Sequence, residues 1–93
     1  MLMIVKYPPS REISRKKLEL AKEGDVVVLI QDAVLYALGD PVIDELREKG
    51  IEVYALREDF EIRGYSEDQS KVGLVDYSQF VDLVVEKGEK TIG

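Results

Sequence analysis

Polar side chains that could do chemistry follow three apolar runs of this chain. They are Gln31 and Asp32 after the first run, Arg57, Glu58 and Asp59 after the second, and Asp76 after the third. If these runs are parallel strands, their carboxyl ends meet at one edge of the sheet, which we call the strand-end rim. Carboxylates, an amide and arginines in one place could bind a cation, an anion or the surface of a partner. The binding or interface candidates are Gln31, Asp32, Arg57, Asp59 and Arg63.

Cysteine and histidine are both absent from the 93 residues. These two side chains most often act as nucleophile and as general base near neutral pH, and both are common zinc ligands. We therefore predict no catalytic residue, no bound metal and no cofactor. The chain should serve as a subunit or a binding module and not as an enzyme.

Three interpretations of the strand-end rim are open. In the first, Asp32 and Asp76 are helix N-caps, and Asp59 forms a surface ion pair with Arg63 one helical turn later. In the second, three carboxylates of the rim hold Mg²⁺ for phosphate chemistry, since hard cations prefer carboxylate oxygens. That interpretation is weakened because no glycine-rich turn follows a strand. In the third, the rim and the helices near it form a subunit interface.

Composition limits the classes of partner. The formal net charge is −6, and contacts to phosphate depend on clustered lysine and arginine, so we expect no direct binding to nucleic acid. We interpret the one basic group as a solvated helix face; it consists of Arg11, Arg15, Lys16, Lys17 and Lys22. No apolar stretch approaches the roughly 20 residues that span a bilayer, and no export signal is visible. We expect one domain over residues 1–93, located in the cytoplasm.

Apolar runs and helix signals alternate along the chain. The predicted strands are residues 2–5, 26–30, 51–55 and 72–75, and the predicted helices are residues 11–22, 33–38, 41–49, 57–62 and 77–86. The aliphatic run at 26–30 indicates a central strand that is covered on both faces. This alternation predicts an α/β fold with a small, mainly parallel sheet and helices on both faces.

The first and last helices should each bury an apolar stripe. Ser10 is the predicted N-cap of the first helix. Its buried residues are expected to be Ile13, Leu18, Leu20 and Ala21. The apolar side of the last helix is expected to be Phe80, Val81, Val84 and Val85.

Three strings of this sequence resemble the DsrH/TusB family. They are LIQDAVLYAL at 29–38, VYALREDFEIRG at 53–64 and VDYSQFVDLV at 75–84, and the match extends from about residue 24 to residue 87. The family places Q-D after its second strand, then L-x-x-D-x-x-x-R-G, then D-Y-x-x-F-V. Four of the candidate residues, Gln31, Asp32, Asp59 and Arg63, therefore stand at family motif positions.

The resemblance implies a small α/β subunit of the DsrE-like group. Members are found with DsrE/TusD-like and DsrF/TusC-like subunits in hetero-oligomers that pass persulfide sulfur along protein cysteines. In the Tus branch, this sulfur is used for 2-thiolation of the wobble uridine of certain tRNAs. In cysteine-bearing relatives the sulfur-carrying thiol lies about eight residues before the motif glycine, and this chain has Leu56 there.

A non-catalytic subunit of a sulfur-relay complex is therefore the function that the resemblance implies, with the persulfide on a partner. At a subunit edge, Arg57 or Arg63 could stand beside the partner's thiolate, which needs positive or hydrogen-bonding neighbours. The alternative is a homo-oligomeric module that binds a small ligand at the rim and transfers no sulfur. An independent hydrolase or phosphotransferase is disfavoured by the missing nucleophile and base.

Overall fold

The structure is a computed structural model that describes residues 1–87 and the backbone of residues 91–92. The strands are β1 Leu2–Val5, β2 Val26–Leu29, β3 Glu52–Leu56, β4 Gly73–Val75 and β5 Thr91–Ile92. The α-helices are α1 Glu12–Glu19, α2 Val42–Glu48, α3 Arg57–Ile62 and α4 Tyr77–Lys87. Two 3₁₀ helices cover Gln31–Leu38 and Glu67–Gln69. Among these described elements, no helix is long and apolar enough to cross a membrane.

All five strands pair in parallel, in the order β4-β3-β2-β1-β5. β2 lies at the centre, with Val27 opposite Met3 on one side and Val53 on the other. All four of its residues are buried, which explains why the strand is aliphatic throughout. Because the strands are parallel, the carboxyl ends of β2, β3 and β4 lie at one edge of the sheet, where the strand-end rim was predicted.

One face of the sheet, the closed face, lies under α1, α2, α3 and the longer 3₁₀ helix. Its strand residues are Met3, Val5, Val27, Leu29, Val53 and Ala55. Phe60 of α3 and Tyr36 of the 3₁₀ helix pack there and are fully buried. Burial of one such aromatic side chain stabilises the fold by roughly 2–3 kcal/mol.

The other face, the open face, is covered by α4 alone among the described helices. Its strand residues are Leu2, Ile4, Val26, Val28, Tyr54 and Val75, packed against Phe80, Leu83 and Val84 of α4. Several of these side chains, including Ile4 and Tyr54, are only partly buried. A single helix therefore leaves part of this face uncovered.

The predicted α/β fold and its four strands are confirmed. Each of the four strands lies within one residue of its predicted bounds. β5 is not predicted from the sequence, because a strand of two residues has no periodic pattern and its pairing with β1 is set by the fold. The segment predicted as the second helix is a 3₁₀ helix that begins two residues early, at Gln31.

Two of the four residues that were predicted to be buried on α1 are exposed. Leu18 and Ala21 are buried, but Ile13 is 57% exposed and Leu20 is 66% exposed. The buried side of α1 runs instead through Ser14, which lies one turn before Leu18. Ser14 can occupy an interior position because its hydroxyl group forms hydrogen bonds with main-chain carbonyl groups nearby.

Two further predictions, the N-cap of α1 and part of the buried side of α4, are wrong. Ser10 does not cap α1, because the helix begins two residues after it and no side chain caps that end. On α4, Phe80 and Val84 pack on the sheet as predicted, whereas Val81 is 39% exposed and Val85 is 74% exposed. The apolar surface of α4 is therefore wider than the part of it that the sheet covers.

The basic group that was interpreted as a solvated face is partly tied to the fold. Arg15 is paired with Asp40, with 2.7 Å between the guanidinium nitrogen Nη2 and the carboxylate oxygen Oδ2. Lys17 donates a hydrogen bond of 2.7 Å to the main-chain oxygen of Ile4. Arg15 thus links α1 to the segment just before α2, and Lys17 links α1 to β1.

Candidate functional site

The structure brings four of the five candidate residues of the strand-end rim into one network. Gln31 and Asp32 follow β2, whereas Asp59 and Arg63 belong to or directly follow α3, after β3. Hydrogen bonds join the two groups across the edge of the sheet. The fifth candidate, Arg57, lies at the start of α3 and makes a different contact.

Gln31 has an unusual backbone conformation. Its φ is +49°, the one positive φ outside glycine in the described part of the chain. A side chain at such a φ strains the backbone, so surrounding contacts must hold the residue there. Asp59 supplies one, since its Oδ2 accepts a 2.6 Å hydrogen bond from the Gln31 N–H group. The Gln31 side chain itself is exposed.

Arg63 fastens the end of α3 to the 3₁₀ helix. Its Nε and Nη2 atoms donate to Asp32 Oδ1 at 3.1 and 2.8 Å, and its Nη1 atom donates to the main-chain oxygen of Asp59 at 2.8 Å. The Arg63 side chain is 27% exposed. Three of its nitrogens have partners within the chain, so its main effect is to hold the rim in shape.

Two predicted roles of these residues are wrong. Asp32 does not cap the helix, because Ile30 occupies the N-cap position and the Asp32 carboxylate turns instead to Arg63. Asp59 and Arg63 do not form a carboxylate ion pair: Arg63 contacts the main-chain oxygen of Asp59, while the Asp59 carboxylate accepts from Gln31. Both carboxylates therefore join the segment after β2 to α3 and the residue that follows it.

Arg57 is held much less firmly than Arg63. It follows β3 directly, and its side chain is 33% exposed. The one ion pair found for it is with Glu67, at 3.6 Å between Nη1 and Oε2, and the Glu67 side chain is 71% exposed. Such a surface pair contributes little to stability, so the Arg57 guanidinium can change partner at small cost.

The third part of the rim lies at the start of α4. Asp76 is confirmed as an N-cap, since its Oδ1 accepts from the Gln79 N–H at 2.7 Å and Gln79 Oε1 accepts from the Asp76 N–H at 2.8 Å. Glu58 of α3 also accepts a 3.0 Å hydrogen bond from the Tyr77 N–H group. Through Glu58, α3 is connected to the start of α4.

The alternative of a magnesium site finds no support in this geometry. Among residues 1–87, no three carboxylates are grouped closely enough to hold a metal ion. The carboxylates of Asp32, Asp59 and Asp76 each accept hydrogen bonds from a different partner. What the rim offers is the exposed amide side chain of Gln31 and a loosely held cation, Arg57. Such groups suit the binding of a partner's anionic or polar group.

Leu56 occupies the last position of β3, next to Arg57. Leu56 is buried, with 7% of its surface exposed. The position where cysteine-bearing relatives place their thiol is therefore at the rim in this fold, and an unreactive aliphatic side chain fills it.

The sequence did not predict that Glu58 would reach Tyr77 or that Gln79 would complete the cap with Asp76. The second of these had a recognisable signal, because a polar residue three positions after an N-cap is typical of a capping box. The contact of Glu58 had none, since its partner lies 19 residues later and is a main-chain group.

Comparison with protein families and with curated proteins gives consistent results. A family model described as DsrH-like protein matches residues 7–90. Protein TusB of Pectobacterium parmentieri is 47% identical over 66 residues, which cover 69% of this chain and 70% of that protein. Protein TusB of Salmonella arizonae is 46% identical over 70 residues, covering 73% and 74% of the two chains.

Two solved structures of one protein from Thermotoga maritima share this fold. The solution NMR structure of protein Tm0979 aligns over the whole of both chains with a TM-score of 0.73 and 42% sequence identity. A second NMR structure of it, described as that of a candidate sulfur transferase, gives a TM-score of 0.68 at 44% identity and covers 96% of this chain and 94% of the other.

Proposed function

This chain belongs to the DsrH family, and from that membership we propose that it is a non-catalytic subunit of a sulfur-relay complex. The observation that carries the proposal is the absence of cysteine from all 93 residues. A relay passes sulfur as a persulfide on a thiol, and the strand-end position used by cysteine-bearing relatives holds Leu56 here. The sulfur must therefore be carried by the thiol of a partner subunit.

The partners that we propose are DsrE/TusD-like and DsrF/TusC-like subunits. The resemblance of the motifs at 29–38, 53–64 and 75–84 supports them, as do the relatives named TusB. We further propose that the complex works in the cytoplasm and supplies sulfur for 2-thiolation of tRNA wobble uridine. With a formal charge of −6, this chain would leave the contacts with tRNA phosphates to its partners.

The strand-end rim is the surface that we propose to face the partner's thiol. A persulfide or thiolate is stabilised by a nearby cation and by hydrogen-bond donors. Arg57 is the better of the two candidate arginines, because its contact with Glu67 is long and exposed, whereas Arg63 is held by Asp32 and by the main chain. Gln31, whose backbone N–H group is bound by Asp59, adds an exposed side-chain amide at the same rim.

The experiment is to recover the complex from its native cells and to analyse its product. The tagged chain should copurify in fixed proportion with two small cysteine-bearing α/β subunits, identified by mass spectrometry. Cells that lack the chain should have reduced 2-thiouridine in tRNA hydrolysates, and the wild-type gene should restore it.

Recovery of the chain without any cysteine-bearing homologue would contradict the proposal and favour the homo-oligomeric module. Copurification with unchanged 2-thiouridine would keep the relay complex but reject tRNA as the destination of its sulfur. The Arg57→Ala variant tests the role of the rim, and we expect normal assembly with less 2-thiouridine. Arg11→Ala, at an exposed arginine before α1 and outside the rim, serves as the control.

A further inference from the structure

A cavity that lies outside the strand-end rim combines apolar walls with clustered cations. This cavity, the α1 groove, has a volume of about 650 Å³ and lies between α1 and the end of β1. Its apolar walls include Tyr7, Ile13 and Leu20, and the cations that line it are Lys6, Lys16 and Lys17. The volume lies within the range of roughly 300–1,000 Å³ that is typical of sites for small molecules.

The α1 groove is located where the order of strands in the sheet reverses. From β1 the chain adds β2, β3 and β4 on one side, and it then returns to place β5 on the other side of β1. Ligands of open parallel α/β sheets bind outside the carboxyl ends of the strands at such a reversal. Val5 is the last residue of β1 and lines the groove, so the groove has this position.

Two aliphatic side chains of the groove are largely exposed. Ile13 is 57% exposed and Leu20 is 66% exposed, and a separation of seven residues places them two turns apart on the same side of α1. Tyr7, which is 40% exposed, lines the same groove. Contiguous exposed apolar side chains are typical of binding sites. An apolar ligand between these three side chains would remove their surface from water.

The cations near the end of β1 are placed to bind an anion. Lys17 Nζ donates a hydrogen bond of 2.7 Å to the main-chain oxygen of Ile4, which holds the ammonium group beside β1. An ammonium group has three N–H donors, so Lys17 can also donate to a ligand. Partial burial and, secondly, the charge of Lys6 lower the pKa of the Lys17 ammonium group. An anion beside Lys6 and Lys17 would offset both effects.

Carboxylates near the groove do not cancel its positive charge. Lys16 is paired with Glu12 at 3.5 Å, and both side chains are exposed. Glu19 is the one carboxylate among the described residues that line the groove, and it is exposed as well. Lys6 and Lys17 therefore remain as local cations in a chain of net charge −6. Two cations suit a ligand with a single anionic group, whereas nucleic acid requires a larger basic cluster.

We propose that the α1 groove binds a small amphiphilic anion, a molecule that joins one carboxylate, sulfonate or phosphate group to an apolar body. The anionic group lies beside the ammonium groups of Lys6 and Lys17. The apolar body lies against Tyr7, Ile13 and Leu20. This inference goes beyond the proposed function and does not depend on it, since it assigns a ligand site to the chain alone.

The first test is a fluorescence titration of the full chain with anilinonaphthalene sulfonate, an amphiphilic anion. We expect saturable binding of one molecule per chain. Decanoate should displace the probe, whereas decylamine, which has an alkyl chain of the same length and a positive charge, should not. Circular dichroism spectra recorded during the titration show that the chain stays folded.

Variants separate the α1 groove from other exposed residues. Leu20→Asp places a carboxylate on the apolar wall and should weaken the binding of both anions at least about tenfold, and Ile13→Asp repeats the test at a second position. Ile62→Asp is the matched control, because Ile62 is 80% exposed but lies on α3. Lys6→Gln should weaken decanoate binding at least about threefold, whereas Lys49→Gln, at an exposed lysine after α2, should not change it.

Four outcomes would overturn this proposal. If neither anion binds saturably, the groove is left to a segment of a partner protein. If decylamine displaces the probe as well as decanoate does, the groove is an apolar surface without preference for an anion. Unchanged binding in both groove variants, or an equal loss in Ile62→Asp, would place the bound probe elsewhere. None of these results would affect the sulfur-relay proposal, which depends on copurified partners and on thiolated tRNA.

Discussion

The closed face and the open face of the sheet differ in how completely they are covered. On the closed face, three α-helices and a 3₁₀ helix bury side chains such as Phe60 and Tyr36 completely. On the open face, α4 alone covers the strands among the described elements, and Leu83 is only partly buried. The difference implies that the closed face contributes more to folding stability than the open face, whose helix leaves Val81 and Val85 exposed.

The largest expected effect is a loss of stability on truncating a core side chain, and it should be greater on the closed face than on the open face. Phe60→Ala should lower the free energy of unfolding by about 3–5 kcal/mol, because it leaves a cavity in a fully packed core. Leu83→Ala should cost less than about 2 kcal/mol, since its site is partly solvated already. Urea denaturation of both variants measures the difference. Equal losses would mean that the open face is as well packed as the closed one.

The ion pair that holds α1 against α2 on the closed face should matter next. Asp40 accepts from Arg15 Nη2 at 2.7 Å and from the Val42 N–H at 3.0 Å, and its side chain is 13% exposed. Asp40→Asn should therefore cost about 1 kcal/mol at pH 7, through the loss of the charge-assisted bond to the half-exposed Arg15, while the asparagine oxygen can still accept from Val42. The exposed Asp44→Asn is the control, with an expected loss of a few tenths of a kcal/mol.

Acid titration checks the same residue independently. Burial alone would raise the pKa of the Asp40 carboxyl group, but the hydrogen bonds from Arg15 and Val42 outweigh it and hold the pKa below its usual value. A depressed pKa contributes stability above the unfolded value of about 3.9, and this contribution disappears as the pH falls through the lower folded pKa. The Asn variant should therefore lose less stability than the wild type over that range. Parallel acid curves would contradict this role of Asp40.

The two arginines of the strand-end rim should respond differently to removal. Arg63→Ala should lower the free energy of unfolding by about 1 kcal/mol, because Asp32 and the main chain of Asp59 lose their donor. Arg57→Ala should change it by less than about 0.5 kcal/mol, given its exposed partner. Thermal unfolding at low salt measures both. A larger loss for Arg57→Ala would make it a structural residue and remove it from the proposed partner site.

The smallest expected effect is a gain in stability at Gln31. Gln31→Gly should raise the free energy of unfolding by about 0.5–1 kcal/mol, because glycine adopts a positive φ without strain. Gln31→Ala keeps that strain and should give no gain. If Gln31→Gly also lowers sulfur transfer in the assembled complex, the strained residue is retained for its side chain. If Gln31→Gly lowers stability instead, the Gln31 side chain makes a contact whose stabilisation exceeds the cost of the backbone strain.

The sheet was predictable from the sequence because burial determines it. The residues of β2, Val26–Leu29, are all aliphatic, and only a central strand buries such a run on both sides. For the strand-end rim, the location could be predicted from the sequence, but the hydrogen bonds within it could not. Polar residues after strands could be placed at one edge. The positive φ of Gln31 has no local signal, and the carboxylates of Asp59 and Asp32 accept hydrogen bonds from residues 28 and 31 positions away in the sequence.

The exposed surfaces were missed for a different physical reason. Ile13 and Leu20 were assigned to the buried stripe of α1 because apolar residues on a helix are usually inside. Their exposure follows from Ser14, which lies between them and takes an interior position through its own hydrogen bonds. Val81 and Val85 were wrongly predicted to be buried for a similar reason, since the pattern does not show that α4 is the one helix on the open face among the described residues.

Transfer of labelled sulfur within the complex tests the central claim most directly. A cysteine-bearing partner subunit is loaded with ³⁵S persulfide, and the rate of release to an acceptor is measured with this chain present, absent or replaced by Arg57→Ala. We expect release to be faster with the chain than without it, intermediate with Arg57→Ala, and no label on the chain itself under non-reducing conditions. A rate that is the same with and without the chain would contradict its role as a relay subunit.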